Sequence, residues 1–309
     1  MTSLKLSGHQ SFSFRNSWLS KGIIFLNKYP DLFTRDDAMV ILGVGKNMVS
    51  SIRYWCTACQ LIKNEKINRE YSDTITDIGN LLFINEDKVA WDPFLEDIGT
   101  LWLIHYLYVT NQNYYSTAYH VFNYFTASQF TKNELAYQLH TLSIKLGNKI
   151  SSNTISRDIN TFIHTYVGSS YEDTQVDYED TLDCPLKELG LITHNPGEDL
   201  FFLNRSSMIT LPDDIFFFAV LDFIQGYSQS TISVEDLFFL PKSPGRVFRL
   251  DESSLIDRLE KIEEFTNGKL ILSETAGIRQ LFINEHEDPV NYLANYYNHS
   301  IEVNIDAIR

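Results

Sequence analysis

A repeated pattern of helix caps and glycine breaks constrains this chain more than any other feature. Thr34 and Asp37 make a near-capping box, with Asp in place of the usual Glu or Gln, ahead of a short apolar helix at Ala38–Leu42. Gly43-Val44-Gly45 breaks it, and the spacing predicts a second helix from Lys46 to about Gln60, ended by Leu61-Ile62. Polar Lys63–Asp73 reads as a hairpin or wing, and Thr76–Phe83 returns to helical spacing. A second unit echoes the first. Thr131 and Glu134 form a capping box opening a helix to about Leu146, Gly147 interrupts it, and Ser152 or Asn153 caps a helix to Val167. A third has an amphipathic helix at about Ser253–Phe265 and a hairpin, Lys269–Ser273 with Ile278–Asn284, turning around Thr275-Ala276-Gly277. The expected class is mainly α with small β wings, in multiple winged-helix or helix-turn-helix-like units. Residues 1–90 are expected to form an N-terminal winged-helix DNA-binding domain. Residues 91–190 form a helical domain with the second unit and an acidic loop. Residues 191–309 form a winged-helix-like domain for packing, dimerisation or partner docking. Pro241–Arg246 and Gly168–Asp183 read as loops.

With 44% hydrophobic residues in 309, the chain can bury a sizeable core, which excludes wholesale disorder. Its longest apolar runs fall short of the ~20 residues a membrane helix needs, and they contain His105 and Asp222. No membrane partner or export signal is expected, and three cysteines cannot form a paired disulfide framework, so the expected location is cytoplasmic. A net charge of −15 opposes binding to phosphates. The distribution does not. Residues 1–70 hold ten Lys/Arg against five Asp/Glu, a net +5, which leaves −20 for the rest. Residues 170–199 alone carry nine acids against Lys187. A basic head on an acidic body points to a polyanion site.

On the helix from Lys46, Met48, Ile52, Trp55 and Cys59 share one face; Lys46, Ser50, Arg53 and Thr57 lie opposite, beside Asn47 and Tyr54. A recognition helix needs this split. Arg can read guanine bidentately and Asn adenine, while Lys and Ser suit phosphates. The plainer reading is an amphipathic helix with a solvated polar face; the local charge favours DNA. Asn153 and Arg157 offer a weaker second surface, because Asp158 offsets Arg157. Asp251–Glu264 has six acids against Arg258 and Lys261, which would repel a phosphate backbone.

Other motifs fail. Gly43–Asn47 imitates a phosphate loop but lacks its first glycine and its magnesium-holding hydroxyl. Cys56 and Cys59 form CxxC late in a helix with no second ligand pair, so core packing outweighs zinc or redox work. Glu86-Asp87-Lys88 has the ExK spacing of restriction nucleases without a placed upstream acid. Asp92, Glu96 and Asp97 are candidate magnesium ligands, although Asp92-Pro93 also suits a helix start. His9 and Arg15, set among Phe12, Phe14 and Trp18, are candidates for an acid/base and a phosphate clamp.

The opening Gly8–Gly22, together with Gly43–Cys56, Trp91–Asp97, Thr100–Leu103 and Leu182–Ile192, resembles a bacterial family with a domain of unknown function. Its members occur beside single-stranded DNA phosphorothioation genes, where the family resembles the B component of the Ssp defence system. The resemblance implies a DNA-nicking or DNA-targeting role that helps sulfur enter one strand, with Mg²⁺ or Mn²⁺ if the strand is cut. It also implies double-stranded DNA and other phosphorothioation proteins as partners. A homodimer is plausible, because paired helices read two half-sites. The alternatives are a non-catalytic DNA-binding adaptor or transcriptional regulator, and a protein-binding scaffold.

Overall fold

A computed structural model describes residues 4–67, 70–85, 89–114, 116–168 and 184–298 of the chain, which divide into two units. The first comprises residues up to Val121 and from Thr126 to Leu203; the second comprises Phe122–Phe125 and the residues from Asn204. Both are mainly helical with small antiparallel sheets.

In the first unit, α1 (Asn16–Lys28) packs on α3 (Lys46–Ala58) at very close range. A Cβ placed on Gly22 would meet the Cys56 sulfur at 2.5 Å. Between them α2 (Ala38–Leu42) ends where Gly43 turns left-handed, φ 64°. The Thr34–Asp37 box does not form. Thr34 closes a single 3₁₀ turn, and Asp37 pairs with Arg35 at 2.8 Å instead. Strands β1 (Ile62–Ile67) and β2 (Glu70–Ile75) make the expected hairpin, and Thr76 caps α4 (Asp77–Phe83).

Helix α5 (Ile98–Thr110) is buried from Gly99 onward, as an all-round apolar helix must be. After α6 (Thr117–Asn123) come β3 (Gln129–Phe130), α7 (Lys132–Lys145), α8 (Ser152–Val167), β4 (Ile192–Asn195) and β5 (Leu200–Leu203), with sheet order β3-β5-β4. The capping box of α7 is present in both directions: Glu134 N–H donates to Thr131 Oγ1 and Thr131 N–H to Glu134 Oε2. Ser151, one residue earlier than expected, caps α8.

Residues 1–90 fall in the same compact unit as α8. The N-terminal strap ties them to α8: Ser7 N–H and His9 bond Asp158, and Phe14 N–H donates to Thr165 Oγ1 at 3.4 Å. The expected acidic loop falls largely on residues 169–183, outside the described residues.

The second unit runs α9 (Asp213–Ile224), β6 (Thr231–Ser233), α10 (Val234–Phe239), α11 (Pro244–Val247), α12 (Glu252–Leu259), α13 (Ile262–Phe265), β7 (Leu270–Thr275) and β8 (Ile278–Ile283). Its sheet order is β6-β8-β7. Ala276 and Gly277, both at positive φ, make the two-residue turn between β7 and β8. The single helix expected over 253–265 breaks after Leu259. Pro241–Arg246 is not simply a loop. Pro244 opens α11, and Arg246 is buried, donating to the Asn123 and Phe125 carbonyls.

Candidate nucleic-acid interface

Gly45 caps α3 in extended conformation, and the helix begins at Lys46 without a side-chain cap. Val49, Ile52, Trp55 and Cys56 face the core, which turns Lys46, Asn47 and Ser50 outward, all exposed. Tyr54 departs from its expected place on the polar face. It is 6% exposed, edge-on to His9, Trp55 and Tyr114, because the strap crosses over its ring at Gly8.

Arg53 is held. Its Nε lies 2.8 Å from Asp73 Oδ2 and its Nη2 donates to Asp73 Oδ1 at 3.0 Å. Asn64 Nδ2 donates to the same Oδ1 at 2.9 Å. Asp73 comes from β2 and Asn64 from β1, so the hairpin fixes the side chain of the helix beside it. The Asp73 side chain is 6% exposed, whereas that of Arg53 is 41% exposed. Lys5, Ser50, Arg53 and Asp73 line a cavity of about 370 Å³. A second cavity, of about 400 Å³, shares Thr57, Asn64 and Tyr114 with it.

Ion pairing makes this face less cationic than the count over residues 1–70 implies. Arg35 is bound by Asp37 and Asp31, and Lys63 by Glu65. The latter pair raises the Lys63 pKa and lowers that of Glu65. Among the described residues, Lys5, Lys46 and Lys66 are exposed and make no ion pair. Asn153 and Arg157 are exposed at the start of α8, but Asp158 does not offset Arg157. It points inward, 3% exposed, and accepts bonds from His9, Ser7 and Thr117.

The candidate catalytic residues come from two segments, the strap before α1 and the turn before α5. His9 is 2% exposed. Its Nδ1 accepts the Ser11 N–H at 3.0 Å, which leaves the ring proton on Nε2 to bond Asp158 Oδ1 at 2.7 Å. Both ring nitrogens are thus engaged within the fold. Arg15 precedes α1 with its guanidinium over the rings of Trp18 and Phe12, at 5.2 and 5.7 Å. Asp92 accepts the Glu96 and Asp97 N–H groups, and Asp97 caps α5 through the Gly99 and Thr100 N–H groups. Only Glu96 is exposed.

Burial raises the thiol pKa of both Cys56 and Cys59, as core packing requires. Glu86–Lys88 lies outside the described residues. Among the described residues no three His, Cys, Asp or Glu side chains are grouped to hold a metal. Asp92 and Asp97 engage their carboxylates with backbone N–H groups, and of the three only Glu96 presents an exposed carboxylate.

The anchoring roles of two carboxylates are absent from the sequence reading. Asp158 was legible: it lies three residues after Ile155 and four before Phe162, on the core face of its helix. Asp73 was not, because its partner across 20 residues depends on hairpin register. In the second unit, a cavity of about 480 Å³ is lined by Glu235, Glu252 and the paired Glu274 and Arg279 around Phe239 and Ile278, a net negative set. That charge disfavours phosphate, as the acidic helix there suggested. No helix among the described residues is long and apolar enough to cross a membrane.

No functionally curated protein matches the chain. Two solved structures do, both with a TM-score of 0.84, covering 95% of this chain and 88% of the other. One is a crystal structure of SspB, 28% identical, and the other a magnesium-ion-bound SspB crystal structure, 27% identical. The chain thus resembles the B component of the Ssp system. Residues 6–297 match the protein family of unknown function DUF4007, and the chain belongs to that family.

Proposed function

We propose that the protein is a DNA-binding component of a bacterial DNA phosphorothioation system that introduces or targets a single-strand nick for sulfur incorporation. The observation that carries this reading is the outward face of α3, where Lys46, Asn47 and Ser50 stand beside the groove lined by Arg53. Short polar and cationic side chains on a helix seated by an apolar face are what groove reading needs. The helix–strand–helix–helix–strand–strand order around sheet β3-β5-β4 supports a winged-helix reading of that unit, and sheet β6-β8-β7 repeats its strand order with four helices, α10–α13, between β6 and β7. Helices α1–α3 with the β1–β2 hairpin support a third. The acidic face of the second unit suits a basic protein partner, such as another component of the same system.

Likeness to SspB supports nicking, and one of the matching SspB structures holds magnesium. Among the described residues no three His, Cys, Asp or Glu side chains are grouped around a site for such an ion. One gel tests both parts. Purified protein is expected to retard duplex DNA and to convert supercoiled plasmid to open circles in Mg²⁺ or Mn²⁺, with chelator blocking only the second effect. Retarded DNA with intact plasmid would make it a non-catalytic adaptor. Absence of retardation would sink the DNA reading.

A further inference from the structure

We infer that Asp73 is a positioning residue that turns Arg53 into a reader of guanine, an inference that rests on the DNA-binding reading above. A guanidinium offers five N–H donors along fixed edges. Asp73 takes the side edge, Nε and Nη2, at 2.8 and 3.0 Å. The end edge, one N–H from each Nη, is not used by that pair. Two parallel donors on this edge match the O6 and N7 acceptors that guanine presents in the major groove.

Three observations make the arrangement a built one. The Asp73 side chain is 6% exposed while that of Arg53 is 41% exposed, so the anchor is buried and the reader is wet. Asn64 donates to the oxygen that receives Nη2, fixing the carboxylate from β1. Arg53 lines the cavity of about 370 Å³ together with Lys5 and Ser50, side chains of the type that contact phosphate. The pair also cancels its own charge. Asp73 therefore subtracts from general affinity for phosphate and contributes orientation, which is how a carboxylate beside a nucleic-acid face increases specificity at the expense of strength.

The test selects bound sequences from a randomised duplex library with the full-length protein and three variants, Arg53→Ala, Arg53→Lys and Asp73→Asn. Each variant is checked for native circular dichroism and thermal unfolding. Wild type should enrich guanine at one position at least. All three variants should lose that preference by about 5- to 150-fold, the range for one bidentate base contact, and keep preferences elsewhere. Arg53→Lys can keep an ion pair with Asp73 but lacks the paired donors, so it separates reading from hairpin stability. Replacing the selected guanine by 7-deazaguanine should weaken wild type and leave Arg53→Ala unaffected.

Asp73→Asn with the wild-type preference overturns the inference. So does an even loss across all positions, which would make Arg53 a phosphate contact. In both cases DNA binding survives, whereas a protein that selects no duplex at any salt refutes the DNA reading itself.

Discussion

His9 Nε2 stands 2.7 Å from Asp158 Oδ1, both side chains 3% exposed, and this bond joins the N-terminal strap to a helix 149 residues further along. Asp158 also accepts the Ser7 and Thr117 N–H groups and the Thr117 hydroxyl. Removing one donor leaves a buried oxygen underserved. His9→Ala is therefore expected to destabilise the protein by about 2–4 kcal/mol. Denaturant unfolding measures it, and a change within experimental error would make the strap incidental.

Lys46 should act through charge alone. Lys46→Ala is expected to lower DNA affinity evenly across sequences and to reduce the slope of log K against log salt by about one. Titrations at three or more salt concentrations read this directly. An unchanged slope would remove Lys46 from the interface.

Asp92 is expected to behave as a turn-former. Losing its bonds to the Glu96 and Asp97 N–H groups should cost about 2–3 kcal/mol in Asp92→Ala. Any loss of plasmid nicking by that variant should track its folded fraction across temperature. Full stability with nicking abolished would return Asp92 to the chemistry.

Stability should fall in mild acid, in part through His120. Burial lowers its pKa below 6.5, opposed in part by a hydrogen bond to Gln138. Below pH ~6.5 the unfolded chain binds a proton that the folded ring resists, so the contribution is intact above that pH. It is lost as pH falls toward the folded value. His120→Gln should flatten the pH dependence of the unfolding free energy by up to about 1.4 kcal/mol per pH unit in that window. A curve parallel to wild type would assign the acid sensitivity elsewhere.

Cys56 and Cys59 should resist a thiol reagent in the native protein and react once denatured, since burial raises both thiol pKa values. Native-state labelling followed by peptide mapping checks this. Rapid modification at either position would revive a redox or metal role for the pair.

What could be read in advance was what short-range chemistry dictates. The Thr131–Glu134 box, the Gly43 break, the span of α3 and both long hairpins need only neighbours in sequence, and they are present. Thr34–Asp37 failed because Thr34 closes a 3₁₀ turn with its N–H and hydroxyl on the Asp31 carbonyl, while the Asp37 carboxylate pairs with Arg35. Pro244–Val247 was hidden by its Pro and Gly, although Pro suits a first helical turn and Gly245 lies against the Leu237 carbonyl, where a Cβ would meet it at 2.9 Å. The site was half visible. Wheel geometry placed Lys46, Ser50 and Arg53 together, but not the carboxylate that anchors Arg53 or the strap that covers Tyr54. Both come from contacts made only after distant segments pack.

The strap's attachment also links α8 to the groove mouth. Lys5 reaches the rim only because Ser7 and His9, directly behind it, are moored to Asp158. A substitution at position 158 therefore shifts a cation at the groove without altering any groove residue, so a lesion in α8 would show itself at the rim.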